Sequence, residues 1–350
     1  MTQRCTNNHP THHATGILLQ GVGGRYTIRL DDAPTDTPLH GQTVHCRAKG
    51  SFRHDGITPL PGDRVVIGYS DASYSQREGG ICPDPDGTDI RIEDILPRRN
   101  ALIRPPMANL DVLFITFAAA SPTPILSMID KLICIAEHNR IEPVIIIGKS
   151  ELDAAAADAY AALYRKAGFA TFALSCYTGE GTDAVRAYIR ASLPGKIAAF
   201  AGASGVGKST LMNLLFPALA QETGDVSEKT ERGRHTTRKV TLFPAQTLLG
   251  DADATALPDC YIADTPGFSL LDFERFDFFE KDDLPATMRE FAPYLGQCRY
   301  KGCTHTKEEG CAVLDAVAHG EIARSRHDSF LDIYNDLKDK RPWNKPPRRF

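Results

Sequence analysis

The stretch Ala201-Gly-Ala-Ser-Gly-Val-Gly-Lys-Ser-Thr210 constrains the fold of this chain more than any other. It spells G-x-x-x-x-G-K-S from Gly202 to Ser209, after an apolar run at residues 197–201 and before another at residues 211–216. The order is strand, glycine loop, helix, the context that a phosphate-binding loop requires. Gly202, Gly205 and Gly207 let the backbone turn its N–H groups towards one anion where side chains would block the approach. Ala203, Ser204, Val206 and Thr210 complete the stretch expected around the phosphates. A helix beginning near Lys208 adds partial positive charge at its N-terminus. Lys208 is expected to reach the β- and γ-phosphates, and the Ser209 hydroxyl to ligate Mg²⁺. The expected ligand is a nucleoside triphosphate; the competing reading is a glycine-rich turn that matches by chance.

The chain has 350 residues, enough for two or three domains. A formal net charge of −4 argues against indiscriminate nucleic-acid binding, so any RNA contact must come from local basic patches. No apolar run approaches bilayer-spanning length, and the polar N-terminus lacks the apolar stretch of a signal peptide. Nine cysteines, most of them scattered, suit a reducing compartment better than a disulfide framework. The expectation is a cytoplasmic protein without membrane contact, and a monomer.

Residues 1–15 are polar and read as a disordered tail; His9, His12 and His13 there are a solvated tail sooner than a metal site. Residues 16–98 read as short strands between turn residues, with a hairpin signal at residues 21–24. Four or five such strands suggest a small barrel, an OB-fold by first choice. Cys46-Arg-Ala-Lys-Gly-Ser-Phe-Arg53 is either part of an RNA-binding face or an ordinary solvated strand edge, and the sequence leaves both open. A Pro- and Arg-containing connector at residues 96–106 leads into residues 99–275, where strands and helices alternate. Strands are expected at 112–117, 144–147, 170–174, 197–201, 240–243 and 261–263, and helices at 125–138, 154–167 and 182–193. That alternation implies a parallel, doubly wound sheet with ligands at the carboxyl ends of its strands. Residues 221–239 lose all apolar periodicity and read as a mobile loop containing Gly233-Arg-His-Thr-Thr-Arg238. Residues 276–350 are mainly helical, with helices expected at 312–323 and 329–338 and a basic, Pro-rich tail from Lys340.

Within that last region lies Cys298-x4-Cys303-x-His305-x5-Cys311. Three thiolates and one imidazole supply the four ligands of a closed tetrahedral zinc site, leaving no position for an activated water. One structural Zn²⁺ is therefore expected, stapling a region with little core of its own. Asp264-Thr-Pro-Gly267, at a strand end, suits a metal and γ-phosphate sensor: the Asp264 carboxylate holds Mg²⁺ and the Gly267 N–H meets the phosphate. Thr236 or Thr237 in the loop is a candidate for the second hydroxyl on Mg²⁺ when triphosphate is present, which would make the loop a switch.

Two stretches suit a nucleobase: Ile147-Gly-Lys-Ser-Glu-Leu152, containing Gly148, Lys149, Ser150 and Glu151, and Ser175-Cys-Tyr-Thr-Gly-Glu-Gly181, beginning with Ser175 and Cys176. GTP-binding proteins carry Asn-Lys-x-Asp and Ser-Ala-x in such places, but after the phosphate loop. Here the base motifs come first. That order, with a β-rich region before it and a Cys/His cluster after it, resembles the circularly permuted GTPases of the RsgA (YjeQ) family, assembly factors of the small ribosomal subunit. Gly202–Thr210, Gly233–Thr237, Asp264–Gly267 and Cys298–Cys311 carry the resemblance. It implies an OB-fold RNA-binding domain, a circularly permuted P-loop GTPase domain and a zinc-binding domain. The implied partners are the small ribosomal subunit with its rRNA, and GTP and GDP. It also implies that His235 positions the attacking water, the bland alternative being a solvated loop histidine. Phe268, which follows the Asp264–Gly267 motif, cannot hold that water.

The chain departs from the family at Gly148, which lacks the hydrogen-bonding side chain of the usual Asn, and at Glu151, one methylene longer than the usual Asp. Lost polar contacts of this kind cost about 1–3 kcal/mol. Two rival functions follow: an ATPase or relaxed-specificity NTPase, and a zinc-containing RNA-binding assembly factor that uses nucleotide only as a sensor.

Overall fold

In this computed structural model, residues 12–31, 41–54, 56–70, 74–77, 80–83, 90–102, 105–218, 240–248, 257, 259–264 and 280–338 are described. The chain starts with β1 (His12–Val22) and β2 (Arg25–Leu30), joined at Gly23 and Gly24, whose φ values of 58° and 81° suit a tight hairpin turn. Next come β3 (Thr43–Ala48), a helical turn α1 (Ser51–His54), β4 (Arg64–Tyr69), the hairpin β5 (Tyr74–Arg77) and β6 (Gly80–Pro83), and β7 (Arg91–Ile95). Five of these strands close a barrel in the order β1-β2-β3-β7-β4. Closure comes from antiparallel pairing of β1 with β4, and β3 and β7 form one parallel pair. β1 begins at His12, not at residue 16, because residues 12–15 pair with β4 from Tyr69 to Val66.

The Ile-Leu-Leu run of β1 is apolar without alternation because both faces of the strand are covered. Leu18 points into the barrel with Ile28, Val44 and Ile67, while Ile17 and Leu19 join the core of the next domain. The connector between the domains is pinned down rather than free. Arg98 grips the fully buried Asp63 with two bonds of 2.7 and 2.8 Å, and Arg99 pairs with Asp111. Asp111 also accepts the Ile197 N–H at 2.9 Å, so the strand leading to the phosphate loop is tied to the junction.

After the small pair β8 (Ala101–Leu102) and β9 (Met107–Ala108) comes the alternating region: β10 (Val112–Ala118), α2 (Leu126–His138), β11 (Glu142–Gly148), α3 (Ala154–Lys166), β12 (Ala170–Ala173), α4 (Thr182–Ser192), β13 (Ile197–Ala201), α5 (Lys208–Leu215), β14 (Thr241–Pro244), α6 (Ala245–Leu248) and β15 (Tyr261–Asp264). The sheet order is β12-β11-β10-β13-β15-β14. All neighbours are parallel except β14, which pairs antiparallel with β15 at the edge. β10 is buried along its whole length, as a strand covered by helices on both faces must be. The carboxyl ends of β11, β12, β13 and β15 therefore open onto one edge.

The C-terminal region has short 3₁₀ turns, then α7 (Ala312–Ala318) and α8 (Arg324–Lys338). The helix expected over 312–323 ends at Ala318 because Gly320 turns left-handed (φ 73°), and the Glu321 N–H caps the Ala316 carbonyl at 2.8 Å. The second helix starts at Arg324, before the expected residue 329. This early start places Arg326, 1% exposed, between Asp130 of α2 and Glu290. Its Nε lies 2.6 Å from Glu290 Oε1. Tyr164 of α3 donates to Asp130 at 3.0 Å, so the last domain is bolted to the central one through a buried ionic network. Burial works against the Arg326 charge, but Asp130 and Glu290 outweigh it and hold the guanidinium above its ordinary range.

Candidate nucleotide and metal sites

β13 delivers Gly202 at the sheet edge, and the loop turns through Ala203, Ser204, Gly205, Val206 and Gly207 into α5. A Cβ on Gly202 would lie 2.2 Å from the Thr116 carbonyl oxygen of β10, so only glycine fits there. Gly205 and Gly207 take φ values of 79° and 95°. Gly207 caps α5 without any side-chain bond, which leaves the first N–H groups of the helix directed at the loop. Lys208, Ser209 and Thr210 form the first turn, and the last two are exposed.

Asp264 ends β15 beside the loop. Burial lowers the Lys208 pKa below its ordinary value, with Asp264 opposing the shift. Burial likewise raises that of Asp264, with Lys208 opposing. A half-buried ammonium and a half-buried carboxylate that influence each other beside a glycine loop suit a ligand that brings both negative phosphate and a divalent cation. The Ser209 hydroxyl and the Asp264 carboxylate are oxygen donors of the kind Mg²⁺ takes. His235, Thr236, Thr237 and Gly267 lie outside the described residues.

The base motifs meet the phosphate loop as their order in the chain requires. A cavity of about 290 Å³ is lined by Gly148 at the end of β11, Lys149 and Glu151 just beyond it, Cys176 and Tyr177 after β12, and Val206, Gly207 and Thr210 of the loop and α5. Lys149 takes a left-handed φ of 56°, and its Nζ donates to the Ser121 and Gly205 carbonyls at 2.7 Å each. The side chain is thereby tethered across the gap between base loop and phosphate loop. At Gly148 a Cβ would approach the Val206 carbonyl to 3.3 Å, a tight but not forbidden contact. Ser150 ties the two base loops together through its N–H to the Leu174 carbonyl at 3.1 Å. Ser175 is fully buried, and its Oγ accepts the N–H groups of Tyr177 and Thr178 at 3.2 and 3.1 Å. Its role is to shape the loop, whereas Cys176 lines the cavity.

Sequence reasoning missed the Ser121 carbonyl and Thr116. Ser121 acts through its backbone, which leaves no side-chain signal. Thr116 lines the cavity from β10, where it reads as one more strand residue.

Cys298, Cys303, His305 and Cys311 offer ligand atoms all within 4.8 Å of one another. Cys298 Sγ lies 3.6 Å from His305 Nδ1 and 3.9 Å from Cys311 Sγ, and His305 Nδ1 lies 3.4 Å from Cys311 Sγ. Ligands at about 2.0–2.3 Å from a tetrahedral zinc stand about 3.3–3.8 Å apart, so the donor set fits that ion. Burial pushes the Cys303 thiol up to about 12, so thiolates gathered here need a cation to balance them. His305 has a left-handed φ of 58°, and its carbonyl lies 2.9 Å from Nε2 of the buried His327, the neighbour of Arg326 in α8. Among the described residues no helix is long and apolar enough to cross a membrane.

Comparison with known proteins agrees with this geometry. The RsgA GTPase family matches residues 95–274, and the RsgA N-terminal domain matches residues 15–75. The small ribosomal subunit biogenesis GTPase RsgA of Caldanaerobacter subterraneus subsp. tengcongensis is 36% identical over 326 residues, covering 93% of this chain and 96% of that protein. The protein of the same description from Moorella thermoacetica is 37% identical over 323 residues, covering 92% and 97%. Among solved structures, YjeQ from Thermotoga maritima superposes with a TM-score of 0.70 at 26% identity, covering 94% of this chain and all (100%) of that one. YloQ, described as a circularly permuted GTPase, gives a TM-score of 0.66 at 28% identity, covering 97% and 99%.

Proposed function

The chain belongs to the RsgA GTPase family and is a GTP hydrolase, and we propose that it acts in the cytoplasm as a monomer on the small ribosomal subunit. In this reading it binds the subunit and its rRNA late in assembly, hydrolyses GTP to GDP and phosphate, and leaves. The observation that carries the reading is the convergence of two base loops and the phosphate loop on one cavity, with Lys208 and Asp264 beside it. We assign residues 12–98, from the start of β1, to an OB-fold RNA-binding domain, 99–275 to the permuted GTPase domain and 276–350 to the zinc domain with its basic tail.

The roles proposed for single residues follow from chemistry. The N–H groups between Gly202 and Thr210 cradle the phosphates, and Lys208 neutralises charge on the β- and γ-phosphates. Ser209 and Asp264 would hold Mg²⁺, which supplies electrostatic stabilisation of the transferred phosphoryl group. Thr237 would add a hydroxyl to that ion, the Gly267 N–H would meet the γ-phosphate, and His235 would orient the attacking water. Glu151 would accept from guanine N1–H and N2–H₂, with Lys149 along the base. Cys298, Cys303, His305 and Cys311 would hold one structural Zn²⁺.

The deciding measurement is GTP turnover with and without isolated small subunits, with ATP in parallel. We expect slow intrinsic turnover, marked stimulation by subunits, and a His235→Ala variant that binds nucleotide but hydrolyses it poorly. Turnover indifferent to subunits, or equal for ATP, would refute the assignment.

A further inference from the structure

β10 is apolar along its whole length except at Thr116. That residue is 2% exposed, and its hydroxyl has no hydrogen-bond partner among the described residues. A buried hydroxyl left unpaired gives up its hydration for nothing, a loss that Val, of the same shape, would avoid. A native protein that keeps such a group needs a reason for it, and a partner that arrives with a ligand is one.

The fold says where that partner comes from. Side chains alternate along a strand, so Thr116 shares the face of β10 with Phe114, which packs in one cluster with Leu174 and Leu211. Leu174, Leu211 and Thr116 all line the nucleotide cavity, and Thr116 forms part of its floor. Thr116 pairs in register with Ile146, and Gly148, two residues further on, brings no side chain into the corner beside the Val206 carbonyl. The chemistry of guanine then names the contact. Its N1–H and N2–H₂ donate and suit Glu151, an acceptor, whereas its N7 and O6 accept and need a donor. The Lys149 ammonium already donates to the Ser121 and Gly205 carbonyls, and Gly148 has no side-chain donor. The Thr116 hydroxyl has its hydrogen uncommitted.

We propose that Thr116 is a further base-binding residue, whose hydroxyl donates to the N7 and O6 edge of the purine through the corner that Gly148 leaves open. This rests on the nucleotide-binding reading above and adds to it a contact from the interior of a strand, outside the phosphate loop and both base loops. Glu151 and Thr116 then hold opposite edges of one base, and the unpaired hydroxyl of the empty site is paired in the filled one.

The test is calorimetric titration of the full-length protein and its Thr116→Val and Thr116→Ser variants with Mg²⁺–GDP and with Mg²⁺–tripolyphosphate, which has no base. Thr116→Val should weaken GDP binding roughly 3- to 10-fold, with Thr116→Ser within about twofold of the parent. Tripolyphosphate should bind all three proteins alike, and the thermal midpoint of nucleotide-free Thr116→Val should equal or exceed that of the parent. Two analogues locate the bond: 7-deaza-GDP lacks N7, and 6-thio-GDP replaces O6 by a poor acceptor. At least one should bind the parent more weakly than GDP does, yet lose nothing further in Thr116→Val. Unchanged GDP affinity in Thr116→Val overturns the proposal, as does a loss shared equally by GDP and both analogues, or by tripolyphosphate. If the parent protein itself fails to bind GDP, the nucleotide reading falls, and the role of Thr116 falls with it.

Discussion

Replacing Arg326 by Met would expose how the last domain is fastened to the GTPase domain. In the native chain Arg326 and Asp130 are each 1% exposed and Glu290 is nearby, with Arg326 Nε–Glu290 Oε1 at 2.6 Å. The guanidinium also lies over the Tyr164 and Phe169 rings at 5.8 and 5.6 Å. Met fills much of the same volume, so packing changes little, but two carboxylates are left in an apolar junction. Removing one partner of a buried ion pair costs about 3–5 kcal/mol, a large share of the stability of an ordinary domain. The loss should depend on pH. Burial already raises the Asp130 pKa against the pull of Arg326, and without Arg326 it rises further. A carboxyl whose folded pKa lies above the unfolded value, near ~4, keeps its stability below that value and loses it as pH rises through the folded pKa. Urea unfolding followed by circular dichroism should therefore show a larger deficit for Arg326→Met at neutral and higher pH than in mild acid. Adding Asp130→Asn should remove most of the pH dependence. A deficit below about 1 kcal/mol, or one that is flat with pH, would refute a buried ionic bolt.

Gly202→Ala should leave the circular dichroism unchanged but displace the phosphate loop, because its Cβ would stand 2.2 Å from the Thr116 carbonyl oxygen. Misplacement on the scale of an ångström should lower nucleotide turnover by about 100-fold, and parent-like turnover would count against the geometry. Cys311→Ser should abolish bound zinc by elemental analysis and lower the thermal midpoint of the full chain. Retention of a full complement of metal would remove the cluster from consideration as a closed site.

Much of the nucleotide site was legible because its signals are local. A glycine loop between an apolar strand and a helix needs no tertiary information, nor does a Cys/His quartet within one short stretch. The barrel was readable as short strands with turns, and the five-stranded closure agrees with it. Long-range pairings were not readable. Nothing in residues 12–15 announces that they pair with β4, and nothing near Arg326 announces a partner in Asp130, almost two hundred residues earlier in the chain. Such contacts are set by how faces meet. The C-terminal helix boundary failed for a smaller reason: apolar spacing continues past Gly320, and a left-handed glycine outweighs it.

The order of strands in the central sheet has a consequence for the way the chain is made. β12, β11 and β10 are neighbours in space and are all synthesised before β13, which then adds to the open side of β10. β15 adds to β13 in turn, and β14, although made earlier, must wait for β15 before it has a strand to pair with. The sheet can therefore grow outwards from β10, first to the β12 margin and then to the β14 margin, with no strand forced between two already joined. The half that cups the base can take shape before the half that grips the phosphates has left the translating machinery.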